Sequence, residues 1–263
     1  MNDFTRTWRS LLWETIYFSE HSISPNGKPT FEVLHRTIDI DMRKPVLVIP
    51  SRKLSYTFML AEAHWILTGD NRVKTIEPYN KHISQFSDDG ETFFGAYGPK
   101  ILNQISYVAN ELIRNPCSRR AGLNIWRENP PSTKDTPCTV SIFFTIRDNK
   151  LAAHVFMRSS DIWLGLPYDV FTFSMLAHLV CAIVNKDLCN RISPGSLYLT
   201  AASSHLYLSD LALALQCSAE DASKYKQNET PDLMHQDADY LIERLGTLKN
   251  LPPSTNERWW VVV

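Results

Sequence analysis

Apolar residues recur at helical spacing in several stretches of the chain, and each stretch predicts a helix. The first spans residues 4–18. The second spans residues 54–68 and is followed by Gly69, which stands where glycine commonly ends a helix. Residues 170–184 are almost wholly apolar and predict a helix buried in the core. Shorter helical patterns occupy residues 103–115, 206–215 and 239–245.

Short runs rich in β-branched residues predict the strands, at residues 37–40, 46–49, 139–147, 151–157 and 197–201. Asp148-Asn149-Lys150 joins two of these runs and has the composition of a hairpin turn. No convincing linker divides the first 217 residues. We therefore predict one mixed α/β (α+β) domain over residues 1–217, with residues 218–263 as a C-terminal extension of the same domain.

The composition is ordinary for a soluble globular protein. The 263 residues include 27 Lys and Arg against 28 Asp and Glu, whereas proteins that bind nucleic acid through its phosphates carry a basic excess. Five cysteines without a C-x-x-C pair indicate neither a zinc site nor a disulfide framework, and they favour a reducing compartment. With no signal-peptide pattern and no apolar stretch of about 18 residues, we expect a cytoplasmic protein that binds neither membranes nor nucleic acid.

Glu62 interrupts the apolar face of the second predicted helix. It follows Phe58 by four residues and adjoins Ala61, so the three share one side of the helix. A carboxylate in such a place is either paired with another group or has a pKa raised by the loss of water around it.

Cys138 follows a proline and directly precedes a predicted strand. A buried structural thiol is the usual meaning of an isolated cysteine, and that reading is adequate for the other four. The sulfur of Cys138 could instead face a pocket, where a thiolate would need a cationic neighbour that lowers its pKa.

Polar residues also gather between the strand that ends near Met157 and the long apolar helix. They form either a solvated loop or a fixed structure, and Gly165 and Pro167 favour a fixed backbone. Arg119 and Arg120 follow a predicted helix. They are either solvated or suited to bind phosphate through their forked guanidinium groups.

His205 and Tyr207 lie two residues apart in an extended stretch, so both side chains point to one side of it. They could jointly hydrogen-bond a hydroxyl group of a ligand. The alternative is that His205 is a polar residue satisfied within the fold.

The order of these motifs resembles the thymidylate synthase family over roughly residues 30–216. The motifs are Ala61-Glu62-Ala63-His64-Trp65-Ile66-Leu67-Thr68-Gly69-Asp70, Tyr97-Gly98, Ser118-Arg119-Arg120, Pro137-Cys138, Arg158-Ser159-Ser160-Asp161-Ile162-Trp163-Leu164-Gly165-Leu166-Pro167 and Ser204-His205-Leu206-Tyr207. The resemblance implies a mixed β-sheet flanked by helices, with one sheet face at a homodimer interface. It also implies one-carbon transfer from 5,10-methylenetetrahydrofolate to C5 of a pyrimidine nucleoside monophosphate, without a metal.

In that chemistry the resemblance makes Cys138 the nucleophile that adds to C6 of the base. Arg158 then binds phosphate and favours the thiolate, and Glu62 organises water and proton transfer. Arg119 and Arg120 are implied to reach the phosphate bound by the neighbouring subunit, so that two active sites are shared. His205 and Tyr207 are implied to hold the sugar 3′-hydroxyl. The other implied binding residues are Ser159 for the nucleotide and Asp161, Leu164, Gly165 and Tyr168 for the folate.

Three residues depart from the synthases of the family. Asp169 stands where they carry Asn, whose amide donates to uracil O4 and accepts from N3–H. An Asp can accept from the N4 amino group of cytosine, whereas an ionised Asp faces uracil O4 with a second acceptor. One unsatisfied buried group costs about 1–3 kcal/mol. Asp169 therefore predicts a cytosine nucleotide.

Thr139 replaces the usual His after the nucleophile, and Met157 replaces the usual Gln before Arg158. These departures resemble the phage-type deoxycytidylate (dCMP) 5-hydroxymethylases of the family, in which water quenches the methylene intermediate. Glu62 and Asp169 are the candidates for ordering that water. The loop cation that binds phosphate is left between Lys28 and Arg36.

We accordingly predict a cytidylate 5-hydroxymethyltransferase acting on dCMP. A CMP hydroxymethylase of nucleoside biosynthesis and a methylating enzyme acting on dCMP or dUMP remain open alternatives. A non-enzymatic alternative is an idle nucleotide-binding member of the family.

Overall fold

A computed structural model describes residues 3–19, 21–221 and 238–251 of the protein. The helices are α1 (Phe4–Phe18), α2 (Tyr56–Leu67), α3 (Val73–Ile76), α4 (Tyr97–Arg114), α5 (Leu166–Val184), α6 (Leu211–Ala219) and α7 (Ala238–Leu248). The strands are β1 (His21–Ile23), β2 (Thr30–Asp41), β3 (Gly122–Asn124), β4 (Thr139–Arg147), β5 (Lys150–Asp161) and β6 (Ser193–Tyr207). This content confirms the predicted α/β class.

The strands form one six-stranded sheet in the order β1-β2-β6-β5-β4-β3. Neighbouring strands are antiparallel except for β5 and β6, which run parallel. The predicted β4–β5 hairpin turns at Asp148 and Asn149, whose φ angles of 51° and 57° suit a two-residue hairpin turn. The parallel register sets Asp161 opposite His205, so the carboxyl ends of both strands meet at one edge of the sheet.

Helix α5 is the buried centre of the fold. Gly165 precedes it and Pro167 lies in its first turn, where the missing N–H of proline removes no helical hydrogen bond. Its length and composition would let it cross a membrane, but 83% of its most apolar window is buried inside the protein. The predicted core helix is confirmed, while the expectation that the chain has no apolar stretch of about 18 residues is wrong.

Two predicted elements differ from the structure. Residues 46–49 are irregular backbone rather than a strand, although Val46, Leu47 and Ile49 are buried in the core. A short apolar run fits a buried coil as well as a strand. The helix predicted over residues 206–215 begins only at Leu211, because β6 continues to Tyr207.

Helix α4 begins at Tyr97, well before the predicted start at residue 103. Gly98 and Pro99 look like helix breakers in the sequence, but both lie in the first turn, where proline is tolerated. A Cβ at Gly98 would lie 2.9 Å from Cα of Gly69. The glycine therefore lets the start of α4 pass close to the end of α2.

Helix α7 lies within the predicted C-terminal extension, and the proposed boundary at residue 217 falls inside α6. It packs against α2 and α5 through three buried leucines, Leu241, Leu245 and Leu248. The hydroxyl of Tyr79 donates to the side-chain oxygen of Asn250 at 3.0 Å. These contacts join the described part of the extension to the helices of the main domain. The apolar end of the chain, residues 259–263, lies outside the described residues.

Candidate active site

Cys138 lies immediately before β4, and its side chain is half-buried. Arg158 on the neighbouring strand β5 places Nη2 at 3.7 Å from Sγ of Cys138. The same guanidinium donates from Nε to the Pro137 carbonyl and from Nη2 to the Thr136 carbonyl, both at 2.9 Å. Arg158 therefore fixes the segment that carries the thiol and gives the thiol a cationic neighbour.

Burial raises the pKa of the Cys138 thiol, and Arg158 opposes this shift without cancelling it. The carboxylate of Asp169 acts in the same direction as burial. The thiol is therefore protonated at neutral pH. Its reaction as a nucleophile requires a base that takes the proton.

Two carboxylates, on α2 and α5, form the second part of the site. Burial raises the pKa of Glu62 to about 8 and the pKa of Asp169 to about 7, so of the two alternatives for Glu62 the raised pKa is favoured. The charge of Asp169 adds to the shift of Glu62, so the two interact. Both side chains are only half-buried. At neutral pH such a pair can both donate and accept a proton.

Asp161 ends β5 and caps the turn into α5. Its Oδ1 accepts the N–H groups of Trp163 at 2.9 Å and Leu164 at 2.8 Å, and its carbonyl accepts the N–H of Gly165 at 3.2 Å. Burial raises the pKa of Asp161, while these backbone bonds and His205 act in the opposite direction. The polar stretch before α5 is thus a strand end followed by a capped turn, not a solvated loop.

Aromatic rings surround this turn. The ring of Tyr168 meets that of Phe58 edge-on, with 5.0 Å between centroids. The guanidinium of Arg52 lies 4.3 Å from the ring centre of Trp163 and donates to its carbonyl at 2.7 Å. Leu164 is 52% exposed. An exposed apolar side chain beside ordered rings can accept a flat, largely apolar ligand.

His205 and Tyr207 project from the same side of β6, as predicted, with their ring centroids 5.2 Å apart. Nδ1 of His205 lies 3.4 Å from Oγ of Ser159. Burial lowers the pKa of His205, although Asp161 opposes the shift. The imidazole is therefore neutral near pH 7, with one nitrogen that donates and one that accepts a hydrogen bond.

Tyr97 belongs to the same site, although the sequence had assigned it no role. Its hydroxyl oxygen accepts the N–H of Thr139 at 3.3 Å and the hydroxyl of Thr139 at 3.2 Å. Burial raises the pKa of Tyr97, and the charges of Asp169 and Cys138 add to the shift. The phenol is therefore protonated and lies within electrostatic reach of the nucleophile candidate. The signal for this pairing is absent from the sequence because the two residues are far apart in the chain.

Arg119 and Arg120 lie away from Cys138. Gly122 on β3 pairs with Phe143 on β4 in antiparallel register, so residues before Gly122 lie farther along β4 from Cys138. At about 3.3 Å per residue, the backbone of Arg120 lies about 20 Å along the sheet from that of Cys138. The register therefore sets both arginines well apart from Cys138 of their own chain.

The two candidate loop cations have different surroundings. Nη1 of Arg36 is bound to the carboxylate of Glu14 at 2.6 Å. Nζ of Lys28 lies 5.7 Å from the ring centre of Tyr207, beside the site. The contacts favour Lys28 as the cation near a bound nucleotide.

Among the described residues, no group of three or more His, Cys, Asp and Glu side chains is arranged to hold a metal ion. The carboxylates of Glu62 and Asp169 interact through their charges, but they do not converge on a common point with a third such ligand. A thiol beside a guanidinium group, together with two carboxylates of raised pKa, can carry out nucleophilic attack and proton transfer.

Comparison with known proteins places the chain beside one family model and a set of curated relatives. The family model described as thymidylate synthase matches residues 8–241. A deoxyuridylate hydroxymethyltransferase of Bacillus phage SP01 is 29% identical over 213 residues, which cover 72% of this chain and 53% of that protein. The chain thus matches about half the length of this curated relative.

Proposed function

This chain belongs to the thymidylate synthase family, and from that premise we propose that it is a one-carbon transferase acting on dCMP. It transfers the methylene carbon of 5,10-methylenetetrahydrofolate to C5 of the base, and water then gives 5-hydroxymethyl-dCMP. The observation that carries this proposal is the Cys138 thiol beside Arg158 and within electrostatic reach of Asp169, whose charge in turn acts on Glu62.

The first step is attack of the Cys138 thiolate on C6 of the base, which moves an electron pair to C5. Because burial keeps the thiol protonated, its proton passes to a nearby base as the S–C6 bond forms. C5 then bonds to the methylene carbon of the folate. Loss of the C5 proton and cleavage of the bond between that carbon and the folate nitrogen leave an exocyclic methylene on the base and release tetrahydrofolate.

Water completes the reaction at this methylene. The oxygen of water bonds to the methylene carbon, and the proton of that water passes to an ionised carboxylate of the Glu62–Asp169 pair. The electron pair returns through the ring and breaks the S–C6 bond, which frees Cys138. No hydride is transferred, so the folate leaves as tetrahydrofolate. The name of the phage relative, a hydroxymethyltransferase, supports water as the quenching group.

Asp169 favours cytosine as the base. An ionised carboxylate accepts from the cytosine N4 amino group, and a protonated one can also donate to N3. The phage relative is named for deoxyuridylate, so dUMP is the second candidate. The pKa of Asp169, raised to about 7, supports the neutral acid that cytosine N3 requires.

The remaining residues take the roles that the resemblance implied. His205 and Tyr207 bind the sugar 3′-hydroxyl, with Ser159 beside the imidazole. Arg158 and Lys28 bind the phosphate. The turn formed by Asp161, Leu164 and Gly165 and the ring of Tyr168 bind the folate, since an exposed apolar side chain there lies next to ordered rings.

We further propose a homodimer with shared sites. The backbones of Arg119 and Arg120 lie well apart from that of Cys138 in their own chain, about 20 Å along the sheet, which supports their acting on the partner's nucleotide. One face of the sheet also exposes large apolar side chains, Phe143, Phe156 and Tyr198, of which Phe143 and Tyr198 both lie opposite His154. A patch of this kind commonly marks a protein interface.

Incubation of the protein with methylenetetrahydrofolate and either dCMP, CMP or dUMP tests the base, the sugar and the reaction together. We expect dCMP to gain CH₂O in mass, with no dihydrofolate absorbance. A gain of CH₂ with dihydrofolate would show a methylating enzyme instead. If none of the three nucleotides releases its C5 hydrogen, the protein is an idle nucleotide-binding member of the family.

The variant Cys138→Ser tests the nucleophile, and Cys217→Ser is its matched control because that buried thiol lies on α6 outside the site. We expect Cys138→Ser to lose turnover while its melting temperature stays unchanged. Cys217→Ser should keep its turnover. Turnover by Cys138→Ser would refute the assignment.

A further inference from the structure

We propose that Glu111 is a positioning residue of the phosphate site, because it holds Arg120 in the orientation that meets the nucleotide of the partner subunit. This inference rests on the proposed function, and in particular on shared sites. It concerns a carboxylate to which the motifs of the sequence give no role.

Glu111 is a buried carboxylate near the end of α4, only 2% exposed. Its Oε1 accepts the hydroxyl of Ser118 at 2.6 Å and Nε–H of Arg120 at 3.1 Å. Nη2 of Arg120 lies 3.1 Å from the same oxygen. Oε2 accepts from Arg114. The Ser118 hydrogen bond and the two arginines hold the pKa of Glu111 below its ordinary value, so the carboxylate is ionised at neutral pH.

The same carboxylate organises the turn that follows the helix. The hydroxyl of Ser118, which donates to Glu111, accepts the backbone N–H of Arg120 at 3.1 Å. The carbonyl of Arg120 accepts the hydroxyl of Tyr107 at 3.2 Å. Backbone and side chain of Arg120 are therefore both fixed, and Ser118 links the two through Glu111.

The bond to Glu111 leaves most of the guanidinium of Arg120 available. The Arg120 side chain is 72% exposed, and its Nη1 makes no bond in the described part of the chain. Nε and Nη2 face Glu111, so the guanidinium group cannot rotate freely. An arginine fixed in this way loses less side-chain entropy when it binds an anion. Arg119 beside it is exposed and is not in an ion pair with any described residue.

A carboxylate next to an anion-binding arginine has two opposing effects. It lowers the positive charge that a phosphate meets, and it fixes the direction of the donors. The contacts from both the backbone and the side chain of Arg120 favour the second effect as the larger one. Removal of the carboxylate should therefore weaken nucleotide binding. If the carboxylate only competed with the phosphate for Arg120, its removal would instead strengthen nucleotide binding.

The isosteric variant Glu111→Gln keeps the shape and removes the charge. We expect KM for the nucleotide to rise about tenfold with kcat nearly unchanged, since ground-state and transition-state binding are weakened alike. Inhibition by inorganic phosphate should weaken in parallel. Asp41→Asn is the matched control, because Asp41 is a buried carboxylate that binds Arg43 at 2.7 Å outside the site. An unchanged or lower KM in Glu111→Gln would overturn the proposal.

Mixed dimers distinguish positioning from a general loss of structure. When Glu111→Gln subunits are mixed with Cys138→Ser subunits, the active thiol of the mixed dimer receives its arginines from the subunit with native Glu111. We expect the KM of that site to return to the native value. Sedimentation shows whether the mixture contains dimers. If it does and the KM stays raised, action of Glu111 across the interface is refuted. A chain that sediments as a monomer would refute shared sites, separately from the transfer activity.

Discussion

At the scale of single residues, Asp169 joins proton binding to base recognition. Its pKa, raised to about 7 by burial and by the charge of Asp161, lies within the working range of an enzyme. A neutral carboxylic acid carries one donor and one acceptor, so it can pair with either cytosine or uracil. The ionised form carries acceptors alone, so it accepts from the cytosine amino group but faces cytosine N3 with a second acceptor.

We therefore expect kcat/KM for dCMP to depend on pH. As pH rises through about 7, Asp169 ionises and can no longer donate to cytosine N3, so kcat/KM for dCMP should fall by about tenfold, the effect of one unsatisfied buried group. The value is measured from pH 6 to pH 9.

The variant Asp169→Asn is the control for this pH dependence. Its amide does not titrate, so this fall in kcat/KM for dCMP should be lost, and the preference between the two nucleotides should shift toward dUMP. A kcat/KM for dCMP that stays constant with pH in the native protein, or that falls in the variant as it does in the native protein, would contradict base reading by Asp169.

The candidate site residues that the sequence predicts are those with local signals. Cys138 next to a proline, Glu62 on an apolar face and His205 two residues before Tyr207 are each visible in a short window. The pairings of Thr139 with Tyr97 and of Arg120 with Glu111 were not predicted, since they depend on how α4 lies against the sheet. Tertiary contacts of this kind have no periodicity by which a single sequence reveals them.

At the scale of elements, α2 and α5 carry the two carboxylates, and α7 packs against both. Strand and helix boundaries were predicted best where turn residues mark them, as at Asp148 and Asn149. They were predicted worst where apolar residues run on into coil, as at residues 46–49. The contact of α7 with α2 was not predictable, because a helical pattern shows which face of a helix is apolar but not which element packs against it.

Removal of one buried side chain on α7 tests this packing. Leu245 is fully buried, so Leu245→Ala should lower the free energy of unfolding by about 2–4 kcal/mol. Activity should fall as well, because Glu62 lies on the helix that loses support. Both are measured by urea denaturation and by product formation under the same conditions.

Leu213→Ala on α6 is the matched control, since Leu213 is 52% exposed. This change should alter the free energy of unfolding by less than about 0.5 kcal/mol. Equal effects of the two substitutions would show that α7 does not stabilise the catalytic helices.

At the scale of the whole molecule, the open face of the sheet connects the site to the proposed dimer. Phe156 and Arg158 alternate along β5 with buried Val155 and Met157, so both point to that face. The ring of Tyr198 stacks on His154 there, with centroids 5.2 Å apart. Arg158, the arginine proposed to bind phosphate, therefore borders the apolar surface that a second copy would cover.

A charge on this face should separate the subunits. Phe156 is 45% exposed, and Phe156→Lys should give a monomer by analytical ultracentrifugation, because burial of an unpaired ammonium group at an interface is costly. Turnover should fall with dimer content, since Arg119 and Arg120 no longer reach a nucleotide. Leu213→Lys on α6 should leave both unchanged, and a fully active dimeric Phe156→Lys would contradict the proposed interface.

The parallel pairing of β5 with β6 restricts how this protein can diverge. Ser159 and Asp161 stand opposite Ser203 and His205, and successive residues of a strand point to opposite faces. Insertion or deletion of one residue in β6 before His205 would turn His205 and Tyr207 toward the opposite face of the sheet. We expect changes of sugar preference in this lineage to arise by substitution along these strands, and differences in chain length to accumulate in the segment between β3 and β4.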